Sequence, residues 1–167
     1  MPRLIASVLS VHLVIGLIGL AWIFWRSRDP AVVELSAIGA GSSDPALVEA
    51  LRAQAAGAAT TWWASLIALS ALSAAGWLIA AHFRQPGTPQ QARGATGAWW
   101  VSLLVALLLS FAIDFVMLGD DALAQSWRLA LIGVGTAALV LAYYLSTALG
   151  VKIAMSPSVP LATLFRR

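Results

Sequence analysis

The chain has no cysteine. A disulfide framework, a thiolate metal site, a cysteine nucleophile and a dithiol redox role are excluded together. Charge is almost as scarce. Charged residues make up 10% of the 167 residues and hydrophobic residues 60%, which leaves too little polar surface to solvate a soluble fold. No stretch between the apolar runs has room for a separate soluble catalytic domain. The net charge of +3 does not point to nucleic acid, because the basic residues flank the apolar runs, where membrane topology accounts for them.

What the chain does have is four long apolar runs, at about Leu4–Trp25, Thr61–Phe83, Ala98–Leu118 and Leu129–Gly150. A helix rising 1.5 Å per residue needs ~20 residues to cross a ~30 Å hydrocarbon core, and each run is that long. The expected fold is an all-α integral membrane protein, a four-transmembrane-helix bundle forming a single domain over residues 1–167. The first run follows Arg3 but is about 22 residues long, too long for a signal-peptide core, and no small-x-small site closely follows it, so it is expected as a retained helix.

Charge asymmetry sets the expected orientation. The second loop carries Arg84 and Arg93 and no acid, the N-terminus carries Arg3, and the tail carries Lys152, Arg166 and Arg167. The first loop holds Asp29, Glu34, Asp44 and Glu49 against Arg26, Arg28 and Arg52, and the third holds Asp120 and Asp121. By the positive-inside rule both termini and the second loop are cytoplasmic, with Arg26 and Arg28 a minority vote against. The localisation expected is the inner (plasma) membrane. Trp22, Trp25, Trp62, Trp63 and Trp127 at the outer ends of spans, and Trp99, Trp100, Tyr143 and Tyr144 at the inner ends, are expected as headgroup-level anchors.

The first loop is the largest extramembrane region. Asp29-Pro30 ends the first helix, and Asp44-Pro45 reads as N-cap and first helical residue of a short amphipathic helix with Leu47, Val48 and Leu51 on one face. Two arrangements fit: it lies along the surface, or it runs straight into the second span. Its apolar face either covers the bundle end or docks a partner. Gln85–Gln91 reads as a turn-rich connection. The tail after Pro157 and Pro160 either rests Leu161, Leu164, Phe165, Arg166 and Arg167 on the anionic leaflet or is disordered.

Small residues recur within the spans: Gly16 and Gly19; Ala64, Ala68, Ala71 and Ala75; Ser102, Ala106, Ser110 and Asp114; Ser126, Ala130, Gly133 and Ala137. Such stripes let membrane helices approach closely, against each other or against other chains. Two ionisable residues lie inside spans, Asp114 and His12, and both are expensive in hydrocarbon. The expectation is structural: Asp114 pairs with Arg128 at the adjacent end of the fourth span, and His12 hydrogen-bonds across a helix seam. By depth the two lie about 10 Å apart, so they do not form one proton site.

The Ile113-Asp114 pair at the end of the third span, with the length, span number and orientation, resembles the lipoprotein signal peptidases, an aspartyl peptidase family. That family needs a second aspartate where the fourth span begins, and here Gln125-Ser126-Trp127 stands there; its Asn- and Gly-rich motifs are absent as well. An intramembrane aspartyl hydrolase is therefore the least supported reading. The leading expectation is a non-catalytic membrane subunit or assembly factor of a larger secretion, respiratory or transport complex, in contact with lipid and with other membrane subunits. The alternative is a small homo-oligomeric transporter or channel with Asp114 as its ion or proton site. Neither a cofactor nor a metal is implied by any motif.

Overall fold

The computed structural model describes residues 2–28, 45–84, 88–118 and 125–162. The expectations resting on Asp44 as a cap, on the loop acids Asp120 and Asp121, and on Leu164–Arg167 lie outside them. The described residues are helical, without strands: α1 (Pro2–Arg26), α2 (Pro45–Phe83), α3 (Pro89–Arg93), α4 (Thr96–Met117) and α5 (Gln125–Gly150), followed by a 3₁₀ turn, Ile153–Ser158. Four helices are long and apolar enough to cross a membrane, and only 22–33% of each apolar window is buried within the fold, as expected for a bundle whose outer face meets hydrocarbon. The chain is a multi-pass membrane protein.

Side-chain register gives the topology. Trp63 lies on Gly19 and His12 meets Ser70, so α1 and α2 are antiparallel. Trp62 meets Asp114, and α4 is antiparallel to α2. Trp62 lies on Gly135 and Leu78 on Gly150, so α2 and α5 run parallel. The spans alternate up and down, and the start of α1 and the end of α5 share one end of the bundle. α2 packs on α1, α4 and α5; α1 also packs on α5, whereas α4 and α5 touch over a narrower strip.

The predicted short loop helix is instead the first part of α2. Its 39 residues make a rod of about 58 Å, roughly twice the hydrocarbon thickness, which begins with Pro45 and runs unbroken into the second span. No proline past Pro45 and no glycine pair interrupts it, and the isolated Gly57 and Gly76 are tolerated in a sequence otherwise rich in alanine, the best helix former. Leu47 is exposed, while Val48 and Leu51 are half-buried. At the other end, Thr88 caps α3 by accepting a hydrogen bond from the Gln91 amide, with Pro89 at the first helical position. The tail segment up to Ala162 is packed rather than loose: Met155, Ser158, Val159 and Ala162 are buried, and the 3₁₀ turn sits on α3.

The adjacent pair Trp62 and Trp63 corrects the anchor expectation. Both are buried, as are Trp99 and Tyr143, each with a hydrogen-bond partner inside the fold; Trp127 is buried too, its ring against Trp22 and its N–H without an acceptor among the described residues. Trp25 and Trp100 are exposed in the manner of headgroup anchors. Neighbouring helical residues point about 100° apart, so the two indoles reach different helices. Trp63 occupies a notch at Gly19, where an added Cβ would fall 1.8 Å from the ring, and its N–H donates to the Gly16 carbonyl at 3.0 Å. Trp62 occupies a notch at Gly135, where a Cβ would fall 2.5 Å from the ring. The α5 seam thus passes through Gly135 and not, as the spacing predicts, through Gly133. Gly133 is exposed and a Cβ there meets nothing within 4 Å.

Gly19→Ala and Gly135→Ala should each lower stability by roughly 1–3 kcal/mol through overpacking, while Gly133→Ala should be silent or slightly stabilising. Thermal melts of the detergent-solubilised protein measure this, and equal melting of Gly133→Ala and Gly135→Ala would contradict the packing described.

Candidate functional site

Two polar clusters interrupt the apolar interior. The first surrounds Asp114. Its stripe faces protein as expected: Ala106, Ser110 and Asp114 are all buried on the face of α4 turned toward α2. One hydrogen-bond partner is a residue that the spacing along α4 does not reveal. The Trp62 indole N–H donates to Asp114 Oδ1 at 2.6 Å, a short bond that ties α2 to α4. Arg128 is half-buried and lines an open cleft with Asp114, Phe111, Phe115 and Ile132. The signal in the sequence was the doubled tryptophan at 62–63, which the headgroup preference of indole disguised.

The second cluster surrounds His12, and it joins three helices. Nδ1 lies 2.7 Å from the Val8 carbonyl and 3.2 Å from Ser146 Oγ of α5, and Nε2 lies 3.0 Å from Ser70 Oγ of α2. Elementary donor counting assigns the protons. The Val8 carbonyl can only accept, and Ser146 gives its own hydrogen to the Ala142 carbonyl at 2.6 Å, so the imidazole proton sits on Nδ1. Nε2 is then an acceptor for the Ser70 hydroxyl, which also lies 3.2 Å from the Leu139 carbonyl. Nε2 and the Leu139 carbonyl compete for the single Ser70 hydrogen, and a neutral ring keeps charge out of hydrocarbon while leaving one of these two acceptors without that hydrogen.

Ser70 and Trp62 are eight residues apart on α2, about 12 Å along the axis. Leu66, on the same face between them, is 2% exposed, so packed hydrocarbon separates the clusters. A third set of bonds closes the far end, where Trp99 donates to Thr147 Oγ1 at 3.0 Å and the Tyr143 hydroxyl donates to the Trp99 carbonyl at 3.2 Å. Among the described residues no group of three His, Asp or Glu side chains is placed to hold a metal. Leu47, Val48 and Leu51 lie on the N-terminal extension of α2, apart from both clusters. No protein family, no curated protein and no solved structure matches the chain.

The polar groups in the spans thus hold helices together, and two measurements follow. In a double-mutant cycle on Trp62→Phe and Asp114→Leu, each single change should cost about 1–3 kcal/mol by stranding a buried partner, and the double should cost clearly less than their sum. Nitrogen NMR of His12, labelled in detergent at neutral pH, should show a neutral ring protonated at Nδ1; the opposite tautomer would overturn the proton assignment.

Proposed function

We propose that the chain is a non-catalytic integral subunit or assembly factor of a larger complex in the inner (plasma) membrane, with both termini, Arg84 and Arg93 on the cytoplasmic side. The observation that carries this reading is that parts of two small-residue stripes are left exposed. Ala64 and Ala68 of α2 are exposed along a cleft against α1, and Gly133 and Ala137 of α5 are exposed on another face, while Ala71, Ala75 and Ala130 pack on the core. The fold makes its close approaches elsewhere, at Gly19, Gly135 and Gly150. Membrane helices associate through such small-residue faces, so these two are suited to spans of other subunits. The polar residues inside the spans support the same reading, since His12, Ser70, Ser146 and Asp114 are engaged in bonds between or along helices. The orientation rests on the acid-free charge of the end that holds Arg84, Arg93 and Lys152.

A homo-oligomeric transporter or channel is the second reading, favoured by one feature: Asp114 and Arg128 border an open cleft at one end of the bundle. Purification of the tagged chain from native membrane under mild detergent separates the two. Unrelated membrane proteins in fixed stoichiometry are expected, and Ala68→Leu or Gly133→Leu should release them without lowering the melting temperature of the isolated chain. A homo-oligomer without other subunits would overturn the subunit reading. For orientation, a single cysteine at position 93 should be protected from an impermeant reagent applied outside the cell, and one at position 49 should be labelled.

A further inference from the structure

One end of the bundle gathers basic side chains from three segments that are remote in sequence. Lys152, just past α5, donates through Nζ to the His82 carbonyl in the last turn of α2 at 2.5 Å. This bond satisfies a carbonyl that the helix end leaves open and fixes Lys152 beside the α2 terminus. Arg84 follows two residues later and lines a small cavity with Ala95 and Met155, which places it against both the α3–α4 junction and the 3₁₀ turn. Arg93 ends α3, and α3 packs on that turn. Arg84, Arg93 and Lys152 are all exposed. Among the described residues the acids are Glu49, near the start of α2, and Asp114, near the end of α4, both toward the opposite end of the bundle. No described carboxylate side chain lies beside these cations.

The apolar residues beside them are exposed too. Phe83 is 72%, Trp100 53% and Ile153 74% exposed, one next to Arg84, one at the first turns of α4 and one next to Lys152. Exposed aromatic and aliphatic groups alternating with cations match the boundary between acyl chains and headgroups, where an indole or phenyl ring sits in hydrocarbon and a long basic side chain reaches toward phosphate. A soluble anionic partner would use the charges and leave Phe83, Trp100 and Ile153 in water. A phospholipid uses both.

We propose that Arg84, Arg93 and Lys152 form a binding site for the headgroup phosphate of an anionic phospholipid, with Phe83, Trp100 and Ile153 against its acyl chains. The site is independent of the subunit reading, because it requires only this chain and a lipid. α3 and the 3₁₀ turn are its frame: they bring Arg93 and Lys152 to the end of α2.

Native mass spectrometry of the full chain in detergent, titrated with phosphatidylglycerol or with phosphatidylcholine, tests it. The protein should retain phosphatidylglycerol in preference to phosphatidylcholine. Arg84→Gln and Arg93→Gln should each weaken retention roughly fivefold, and the double variant roughly twenty-five-fold, at about 1 kcal/mol per charge near an anionic lipid. Arg52→Gln, on the projecting part of α2, should leave retention unchanged. Lys152→Gln also removes the bond to His82, so the Arg84/Arg93 double variant, with its melting temperature measured alongside, is the deciding one. Equal retention of the two lipids, or undiminished phosphatidylglycerol binding by a folded double variant, would overturn the site. Displacement of the lipid by an equal concentration of inorganic phosphate would overturn its assignment to a lipid.

Discussion

Two adjacent tryptophans on α2 set the geometry of the bundle. In hydrocarbon there is no hydrophobic drive to bring helices together, so close packing and interhelical hydrogen bonds must do it. Trp63 fills the Gly19 notch of α1 and donates to the Gly16 carbonyl; Trp62 fills the Gly135 notch of α5 and donates to Asp114 of α4. Each ring contributes both terms at once, shape from its plane and direction from its N–H. Because the two side chains diverge by about 100° from consecutive positions, a single turn of α2 fixes the position of all three other spans. This explains why α2 is the central helix, and why the narrower α4–α5 contact suffices.

The His12 cluster repeats the arrangement about two turns deeper, with weaker, more numerous bonds. There the imidazole takes the place of the indole and serves α1, α2 and α5 together. Asp114 and His12 are the residues that cost most to place in a membrane, and both cross-link helices. A carboxylate that accepts from a buried indole and an imidazole bonded to its own helix and to two neighbours are arrangements that hold a shape. Neither leaves a proton carrier poised between two sides, and the packed Leu66 level between them carries no hydrogen-bonded relay. The charge needed to bind or move an ion would have to enter at the Asp114–Arg128 cleft, at one end of the bundle only.

The four spans were legible in the sequence to within a few residues, because the length of an apolar run and the cost of unsatisfied backbone in lipid determine them. The buried face of α4 was legible too, since Asp114 and Ser110 mark it. Partners were not. Gly133 and Gly135 both sit in small-residue spacings, and only the position of Trp62 on a different helix decides which of them is a notch. The indoles at 62, 63 and 99 read as interfacial because they stand at the ends of spans, but a ring at that level is free to turn inward once a glycine or an acceptor faces it. The short helix expected after Pro45 merged with the second span because nothing between Ala46 and Thr61 breaks the run of helix formers. Spacing along one helix cannot report what stands opposite.

The two ends of the bundle have become different surfaces by segregation of charge. Among the described residues the two carboxylates, Glu49 and Asp114, stand toward the end where α1 stops and α5 starts, and the opposite end holds Arg84, Arg93 and Lys152. The fold uses His12, Ser70, Ser146 and Asp114 and three of its glycines, Gly19, Gly135 and Gly150, in its own packing. The surfaces it leaves over are the small-residue faces at the middle of α2 and α5 and the cationic rim around α3. The first would suit another helix and the second a phosphate, as proposed above. On that proposal the chain has its chemistry on its outside: recognition is set by shape along its flanks and by charge at one rim, while its interior serves to keep those two surfaces in fixed relation.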